Sequence, residues 1–546
     1  MFNIIDFMDY SDIEKIKPVI EYDVNGGKIA YIIREKIPTV YIHGYGGLDH
    51  EFYANEVKWL SNGKLAVVGD QEGREKREIY IYDGKFYPLL KDNYDNYNPK
   101  FIEEDKFFFI SNRDGKTLSL FLYEKGEIEK ISKGDLPVSS YCVSDDGTKI
   151  AYSQGIYDDD IYLIDFKKRE EVKISFKDSE QVIASERCFS DRGLLFLSNN
   201  DDFLNIALYD GEVKWILKSN HDKYEALLYN GNLIYIEDVR GDFQVKINGN
   251  PVFEEGYNSK LMYDGDYIYF IGSNYGRSND LYRINAKGGI ERLTDSMQGV
   301  KGNFTRPNKL SFSSFDGVKV DSLVYSNGNE DKGVLYLHGG PDWECVNSFN
   351  PTIQFLVNKG FKVICPNYRG STGYGKKFNH LNDKDLGGRD LLDVIIASRQ
   401  LNVNRVAVTG ASYGGYLTMM AMTKFPDLWC CGVAVVPFVN WFTEKQFERE
   451  VLKQYDEVKM GNDDILLRDR SPIFFVREIK APLLILAGEN DPRCPAEETL
   501  QVVEKIREMK REVRYKIYKE EGHGFAKIEN YIDSVRETVE FISSNC

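Results

Sequence analysis

The chain has 546 residues, of which 42% are hydrophobic and 29% are charged, and its formal net charge is -16. This length exceeds a single ordinary hydrophobic core, so at least two domains are expected. The negative charge disfavours nucleic acid as a partner, and no apolar run is long enough to cross a bilayer, so we expect neither a nucleic-acid nor a membrane partner.

The N-terminal segment, residues 1–20, is expected to be a short helical element. Residues 1–6 contain an acid but no Lys or Arg, so they lack the pattern of a secretory signal and a cytoplasmic location is expected. Ser11 to Glu14 form a capping-box pattern, and Pro18 ends the helix.

Residues 21–305 contain a strand pattern that recurs at intervals of about 40 residues, the length of a four-stranded propeller blade. Tight-hairpin pairs such as Asn62-Gly63 and Asp83-Gly84 separate many of the strands. We therefore predict a seven-bladed β-propeller, with a pair of β-sandwiches as the alternative. The recurring strands are Lys28 to Ile33, Lys64 to Val68, Lys106 to Ile110, Lys149 to Ser153, Leu194 to Ser198, Leu233 to Glu237 and Tyr267 to Ile271.

Residues 306–546 have a different pattern. A hairpin between Leu310 and Tyr325 leads into a region where strands and helices alternate from Gly333 onward. This alternation predicts an α/β domain with a doubly wound, mostly parallel sheet. We place the boundary between the two domains near Thr305 to Pro307.

A candidate nucleophile lies in the α/β region, within Gly410-Ala411-Ser412-Tyr413-Gly414. A β-branched strand, Arg405 to Thr409, precedes this G-x-S-x-G motif, and a helix-prone run, Tyr416 to Lys424, follows it. In such a strand-to-helix elbow the serine is exposed, and side chains at the two glycines would collide with neighbouring elements. An ordinary glycine-rich turn is the alternative. The context favours Ser412 as the nucleophile of an acyl-transfer enzyme.

The general base and the acid follow from their positions in the chain. An α/β-hydrolase has the order Ser, Asp, His, and of six histidines only His523 follows Ser412. Asp491 lies after the buried strand Pro482 to Gly488, where open α/β sheets assemble their sites. Glu489 is the nearest rival, but we prefer Asp491 because it lies further past the strand end and Pro492 stiffens its loop.

The oxyanion of an acyl-transfer reaction needs backbone donors. His338-Gly339-Gly340-Pro341 follows the strand end Leu335 to Leu337, which is typical of the donor loop in these hydrolases. We predict the N–H groups of Gly340 and Tyr413 as the two donors. The alternative is that His338 is a packing residue in a plain turn.

Two further features concern binding. Phe438 and Trp441 follow the strand Gly432 to Val436 and are candidate walls of a substrate pocket, although core packing would explain them equally well. Gly370 to Lys377 nearly matches a phosphate-binding P-loop, but Lys377 stands where a Ser or Thr must hold magnesium, so a structural loop is predicted.

Six spaced motifs of the C-terminal part occur in the order found in the prolyl oligopeptidase family, and the chain most resembles its acylaminoacyl-peptidase branch. This resemblance implies a serine peptidase that acts on short peptides or acyl-peptides, uses no metal or other cofactor, and has a propeller over its active site. It also implies that Arg493 lies near the substrate and that the N-terminal helix packs on the hydrolase domain. The motifs are His338-Gly339-Gly340-Pro341, Asn367 to Gly375, Gly410 to Tyr416, Ser471-Pro472-Ile473, Asp491-Pro492-Arg493 and Gly522-His523-Gly524-Phe525.

We therefore predict a serine peptidase that releases N-acylated amino acids, or a short N-terminal unit, from small peptides. A carboxylesterase and a dipeptidyl or oligopeptidase with the same triad are alternatives. A propeller that serves as a binding scaffold with a relict hydrolase is the alternative from another class. The sequence leaves a homo-oligomer open.

The cysteines predict reduced thiols, which fit a cytoplasmic location, because the eight of them show no regular spacing. The vicinal pair Cys430-Cys431 is a poor geometric prospect for a bridge. No C-x-x-C pair or His-Glu-x-x-His helix is present, so no metal site is assigned.

Overall fold

A computed structural model describes residues 7–285 and 288–546. Residues 1–6, on which the expected lack of a secretory signal rests, lie outside the described residues. Within the described ranges, no helix is both long enough and apolar enough to span a bilayer.

The described residues from Val19 to Arg292 form seven antiparallel sheets, each built from consecutive strands. The prediction of a seven-bladed propeller is confirmed. Blade 1 consists of the strands Val19–Asn25, Lys28–Arg34, Pro38–Ile42 and Gly46–Gly47. Blade 2 consists of Tyr53–Trp59, Leu65–Asp70, Glu78–Tyr82 and Phe86–Leu90. Blade 3 consists of Asn96–Glu103, Lys106–Ser111, Ser119–Glu124 and Glu127–Lys130. Blade 4 consists of Val138–Val143, Lys149–Gln154, Asp160–Asp165 and Glu170–Ile174. Blade 5 consists of Gln181–Ile183, Phe189–Ser190, Gly193–Ser198, Asn205–Tyr209 and Val213–Leu217. Blade 6 consists of Lys223–Tyr229, Asn232–Asp238, Phe243–Ile247 and Asn250–Phe253. Blade 7 consists of Tyr257–Asp264, Tyr267–Asn274, Arg277–Asn285 and Ile290–Arg292.

Each recurring strand of the sequence pattern is a central strand of its blade. Leu65–Asp70, for example, pairs with a neighbour on both edges and is buried along its whole length. A strand covered on both faces is a continuous apolar run, which explains why these strands stand out in the sequence. The outermost strands, such as Glu127–Lys130, are largely exposed and carry little pattern.

Charged side chains meet at the centre of the ring. Lys58 of blade 2 and Lys100 of blade 3 lie 2.6 Å and 2.7 Å from the same carboxylate, that of Glu186 in blade 5. Since blades 2 and 5 are not neighbours in the ring, the Lys58–Glu186 pair crosses the propeller axis. We call Lys58, Lys100 and Glu186 the axial ion cluster.

The C-terminal part contains one eight-stranded sheet. Its strands, in chain order, are β1 (Asn308–Ser313), β2 (Lys319–Tyr325), β3 (Lys332–Leu337), β4 (Phe361–Asn367), β5 (Arg405–Ala411), β6 (Cys431–Val435), β7 (Leu483–Gly488) and β8 (Arg514–Tyr518). The spatial order is β1-β2-β4-β3-β5-β6-β7-β8. Only the pairs β1–β2 and β2–β4 are antiparallel. The predicted doubly wound, mostly parallel sheet is confirmed.

Helices of the described residues cover both faces of this sheet, and two hydrophobic clusters fill the space between them. The helices are α1 (Pro351–Asn358), α2 (Lys376–Asn379), α3 (Arg389–Gln400), α4 (Tyr413–Lys424), α5 (Trp441–Phe447), α6 (Glu450–Lys459), α7 (Asp464–Asp469), α8 (Ala496–Glu508) and α9 (Ile528–Asn545). Single 3₁₀ turns are Tyr10–Lys15, His380–Asn382, Pro472–Phe474 and Val476–Glu478.

The N-terminal element is a 3₁₀ turn rather than a helix that Ser11 starts. Its capping box uses Asp9 and Asp12 instead of Ser11 and Glu14. The turn contacts helices that flank the eight-stranded sheet, since Tyr10 stacks on Phe355 of α1 and its hydroxyl donates to Glu540 of α9 at 2.8 Å.

Two disulfides contradict the expectation of reduced thiols. Cys142 of blade 4 pairs with Cys188 of blade 5, and Cys430 pairs with Cys546. The Cα atoms of each pair are 6.2 Å and 5.5 Å apart, within the range that a disulfide spans. The partners are 46 and 116 residues apart in the sequence, so no short spacing between cysteines indicates the two pairs. The vicinal Cys430-Cys431 bridge does not form.

A loop of blade 2, residues 71–77, touches the loops that hold Asp491 and His523. We call it the blade-2 loop. The carbonyl of Glu72 accepts a hydrogen bond from Asn490 Nδ2 at 2.9 Å, and Gly73 lies against the backbone of Gly522. Glu75 binds Arg493 at 2.9 Å and Arg449 at 2.9 Å. The propeller thus contacts the two residues that flank the predicted acid and base.

Two buried carboxyl groups also lie between the domains. Asp238 of blade 6 is fully buried, and Glu344, in the loop after β3, is 1% exposed. Burial raises the pKa of Asp238 to about 8, and burial together with the neighbouring Asp238 raises the pKa of Glu344. A side chain at Gly373, in the P-loop-like segment, would lie 2.5 Å from Glu344 and overlap Asp238. The segment therefore packs on two buried carboxyl groups, in agreement with the predicted structural loop.

We expect Gly73→Ala to reduce activity because its Cβ would overlap the Gly522 nitrogen and lie 2.8 Å from the Gly522 Cα. Either the blade-2 loop or the loop that holds Gly522 and His523 must move, and if His523 is the predicted base, a displacement of about 1 Å costs on the order of 100-fold in rate. Steady-state kinetics on a small ester will measure the loss. Gly84→Ala is the matched control, because Gly84 has a similar φ of +74° with no atom near its Cβ position. Equal activities of the two variants would contradict the expectation.

We expect Asp238→Asn to make stability less dependent on pH. The folded state keeps a proton on Asp238 up to about pH 8, whereas the ordinary pKa is 3.8. The stabilising contribution of this proton is therefore present below about pH 4 and is lost as the pH rises towards 8. The amide cannot ionise, so the thermal midpoint of Asp238→Asn should fall less steeply than that of the wild type across this range. Asp105→Asn, at an exposed carboxylate, should follow the wild type; three parallel profiles would show the expectation to be wrong.

Candidate active site

The sheet presents Ser412 at a sharp elbow between β5 and α4. Ser412 has φ +57° and ψ -123°, a conformation that few non-glycine residues adopt. A Cβ at Gly410 would lie 2.6 Å from the Gly414 carbonyl oxygen. A Cβ at Gly414 would overlap the Leu337 carbonyl oxygen and lie 2.7 Å from that of His338. The two glycines of the motif are thus needed because α4 begins in contact with the end of β3.

The structure brings Ser412, His523 and Asp491 together. His523 Nε2 lies 2.8 Å from Ser412 Oγ, and His523 Nδ1 lies 2.8 Å from Asp491 Oδ2. Asp491 Oδ1 accepts hydrogen bonds from the backbone of Arg493 and Cys494 at 2.9 Å and 3.0 Å. The Asp491 side chain is fully buried and that of His523 is 16% exposed. This geometry suits proton transfer from the hydroxyl to the imidazole.

Glu489, the rival acid, has another contact. Its carboxylate accepts a hydrogen bond from the backbone N–H of Glu520 at 3.0 Å. It thereby ties the loop after β7 to the loop after β8, whereas Asp491 holds the imidazole.

The predicted oxyanion donors Tyr413 and Gly340 line the same cavity as Ser412. Tyr413 is the first residue of α4, so its N–H has no acceptor within the helix. Its phenol donates to the buried Asp390 of α3, which anchors the elbow. Gly340, with φ +116°, lines the same cavity as Ser412, and Gly339 lies against the Ser412 Cβ. The assignment of the N–H groups of Gly340 and Tyr413 as oxyanion donors stays a prediction.

His338 supports the glycine loop from beneath. Its ring stacks on Tyr368 at 4.2 Å, and its nitrogens lie 2.7 Å from the Gly339 carbonyl and 2.9 Å from Ser371 Oγ. Burial lowers the pKa of His338 to about 4. The ring is therefore neutral at neutral pH and fixes the loop by packing and hydrogen bonds.

A cavity of about 180 Å³ opens beside Ser412 and His523. The predicted pocket residues Phe438, Trp441 and Arg493 all line it. Phe438 and Trp441 also belong to the hydrophobic core, with ring centres 4.7 Å apart, and their role as walls of a substrate pocket stays a prediction. Arg493 is half exposed, and its guanidinium is bound to Glu75 of the blade-2 loop.

Sequence reasoning missed three acids that line the same cavity: Glu444 of α5, Glu448 in the link between α5 and α6, and Asp456 of α6. Trp441 and Glu444 are three residues apart, a spacing that places side chains on one side of a helix. That spacing was the available signal.

Metal-ligand geometry occurs once in the described residues. The sulfur atoms of Cys430, Cys431 and Cys546 lie within 4.8 Å of one another, but Cys430 and Cys546 form a disulfide, and a ligand must be a free thiolate. These sulfurs cannot bind an ion in this state.

Comparison with known proteins gives the family of the C-terminal part. The model of the prolyl oligopeptidase family matches residues 347–546. Dipeptidyl aminopeptidase BIII of Pseudoxanthomonas mexicana is 35% identical over 211 residues, which cover 36% of this chain and 31% of that protein. The match thus spans less than a third of that relative.

Two solved structures have the same fold over nearly the whole chain. A Mycobacterium tuberculosis puromycin-hydrolyzing peptidase has a TM-score of 0.88 at 17% identity, covering 98% of this chain and 96% of that one. A Pyrococcus horikoshii acylaminoacyl peptidase has a TM-score of 0.74 at 20% identity, covering 98% and 97%. With the family match, these findings show that residues 347–546 form a prolyl oligopeptidase family domain, set against a seven-bladed β-propeller.

Proposed function

We propose that the protein is a serine peptidase that hydrolyses short peptides and releases an N-acylated amino acid or a short N-terminal unit. The observation that supports this proposal is the 2.8 Å distance on either side of the His523 ring, to Ser412 Oγ and to Asp491 Oδ2. The family match and the fold shared with an acylaminoacyl peptidase support the choice of a peptide substrate.

In the proposed mechanism, Ser412 Oγ attacks the scissile carbonyl carbon while His523 Nε2 takes the hydroxyl proton. Asp491 holds the Nδ1–H tautomer and stabilises the imidazolium. The carbonyl oxygen becomes an oxyanion, which the N–H groups of Tyr413 and Gly340 stabilise. Each such donor contributes on the order of 3 kcal/mol to lowering the barrier.

Collapse of the tetrahedral intermediate breaks the C–N bond, and His523 gives its proton to the leaving amine. The acyl group then remains on Ser412. Water attacks this ester with His523 again as the base, and the acyl product leaves as a carboxylic acid with Ser412 restored. The propeller restricts access, so only short substrates are expected to be cleaved.

The cytoplasmic location stays a prediction. Because two disulfides are present, the argument from reduced thiols no longer supports it.

Three substrates test the proposed reaction: an acetyl-aminoacyl anilide, a free dipeptidyl anilide and a short-chain aryl ester. Turnover of the acetylated anilide is expected, with labelling of Ser412 by a fluorophosphonate in the wild type but not in Ser412→Ala. Turnover of the ester alone would identify a carboxylesterase. Absence of labelling would favour a binding scaffold with an inactive hydrolase.

Asp491→Asn is expected to lower kcat about 10⁴-fold, because an asparagine at this position favours the wrong imidazole tautomer. Glu489→Gln is the matched control: it lies in the same loop and has no contact with His523. Its kcat should stay within about threefold of the wild type, since surface changes of this kind have small effects. A larger loss in Glu489→Gln than in Asp491→Asn would reverse the assignment of the acid.

A further inference from the structure

The cavity beside Ser412 contains acids as well as aromatic rings. Its apolar wall includes Phe438, Trp441 and Leu452. Glu444 and Glu448 also line it, although only 3% and 5% of their surfaces are exposed. A buried carboxylate is costly unless a cation or several donors compensate it, so the contacts of these two groups are informative.

Neither acid forms a salt bridge among the described residues, although the charges of Lys453 and Lys445 act on Glu448 from a distance and lower its pKa. Glu444 Oε2 and Glu448 Oε1 are buried and have no hydrogen-bond partner. Nearby Glu498 provides a contrast, because it accepts hydrogen bonds from the backbone of Val439 and Asn440 at 2.8 Å and 2.9 Å. The backbone thus satisfies the carboxylate of Glu498, whereas one oxygen of each of the two cavity acids has no hydrogen-bond partner.

The basic residues near the cavity are engaged elsewhere. Arg493 and Arg449 bind Glu75 of the blade-2 loop. Lys445 donates to the Gly461 carbonyl at 2.8 Å and to Asn462 Oδ1 at 2.6 Å. Asp456, the third acid of the cavity, supplies no positive charge: burial and the neighbouring Glu448 raise its pKa, and its carboxyl group is hydrogen-bonded to that of Glu448.

The pKa values of Glu444 and Glu448 are both raised. Burial raises the pKa of Glu444, and the neighbouring Glu498 raises it further. Burial also raises the pKa of Glu448 to about 7. A cation that entered the cavity would favour the ionised carboxylates, so these acids would lose protons when it bound.

We propose that this cavity binds a cationic group of the substrate, an ammonium or guanidinium, through the carboxylates of Glu444 and Glu448. The inference deepens the proposed function and rests on Ser412 being the nucleophile. The methylene stem of a lysine or arginine can lie against Phe438 and Trp441 while its charged end reaches the acids. The cation has two sources, the side chain next to the scissile bond or a free N-terminal amine.

Matched pairs of anilide substrates distinguish these sources. Acetyl-lysine and acetyl-norleucine anilides differ by the side-chain ammonium, and alanine and acetyl-alanine anilides differ by the N-terminal ammonium. In one of the two pairs, the wild type should show a kcat/KM at least about tenfold higher for the cationic member, since hydrogen bonds to charged groups contribute this much or more. Ratios near one in both pairs would overturn the proposal while leaving the peptidase activity intact.

Glu444→Gln and Glu448→Gln keep the shape of the side chains and remove the charge. In the substrate pair that the wild type discriminates, we expect Glu444→Gln to reduce the ratio of kcat/KM for the cationic member to kcat/KM for the neutral member on the order of 10- to 100-fold. The kcat/KM of the neutral member should fall less than that of the cationic member. Glu450→Gln is the control, because Glu450 starts α6 with a side chain that is 51% exposed; its ratio should match the wild type. An unchanged ratio in Glu444→Gln would sink the proposal.

A binding measurement separates this inference from the proposed reaction. Titration calorimetry with benzamidine and with neutral benzyl alcohol requires no turnover. Benzamidine should bind at least about tenfold more tightly, release protons to the buffer, and lose affinity in Glu444→Gln. Such binding in a protein that cleaves no peptide would refute the peptidase and retain the cation site. Equal binding of the two compounds would refute the cation site.

Discussion

The close approach of α4 to the end of β3 determines much of this structure. Only glycine fits at Gly410 and Gly414, and the elbow between them holds Ser412 at a positive φ. Strain of this kind, on the order of 1–3 kcal/mol, persists only where the surroundings fix it. Here the phenol of Tyr413 bound to Asp390, and the stacked pair His338–Tyr368, provide that support. The serine is therefore held by the sheet, while its partners His523 and Asp491 come from loops.

Those loops depend on the propeller. The blade-2 loop contacts Gly522 and Asn490 and binds Arg493 through Glu75, so the position of the acid and base is coupled to the docking of the two domains. The same arginines that hold the domains together are thereby unavailable to the acids of the cavity. The ion pairs of Glu75 with Arg493 and Arg449 therefore hold the domains together and also keep these two positive charges away from the acids of the cavity.

The sequence was most informative where one physical requirement acted locally. Central strands buried on both faces gave a repeat that revealed seven blades, and the scarcity of histidine left His523 as the one base after Ser412. Contacts between residues that are distant in the sequence could not be predicted. The two disulfides join distant cysteines, and nothing in the sequence distinguishes Glu444 and Glu448 from surface acids, whereas the fold buries both and leaves one oxygen of each without a hydrogen-bond partner. The division of the chain near residue 305 and the roles of the individual site residues stay predictions.

The axial ion cluster has a consequence for how a substrate arrives. A peptide that threaded through the middle of the ring would have to part Glu186 from Lys58 and Lys100, and this would leave the largely buried ammonium groups of the two lysines without their counter-ion. The axial ion cluster therefore closes the middle of the propeller, and a substrate would have to enter where the propeller meets the other domain.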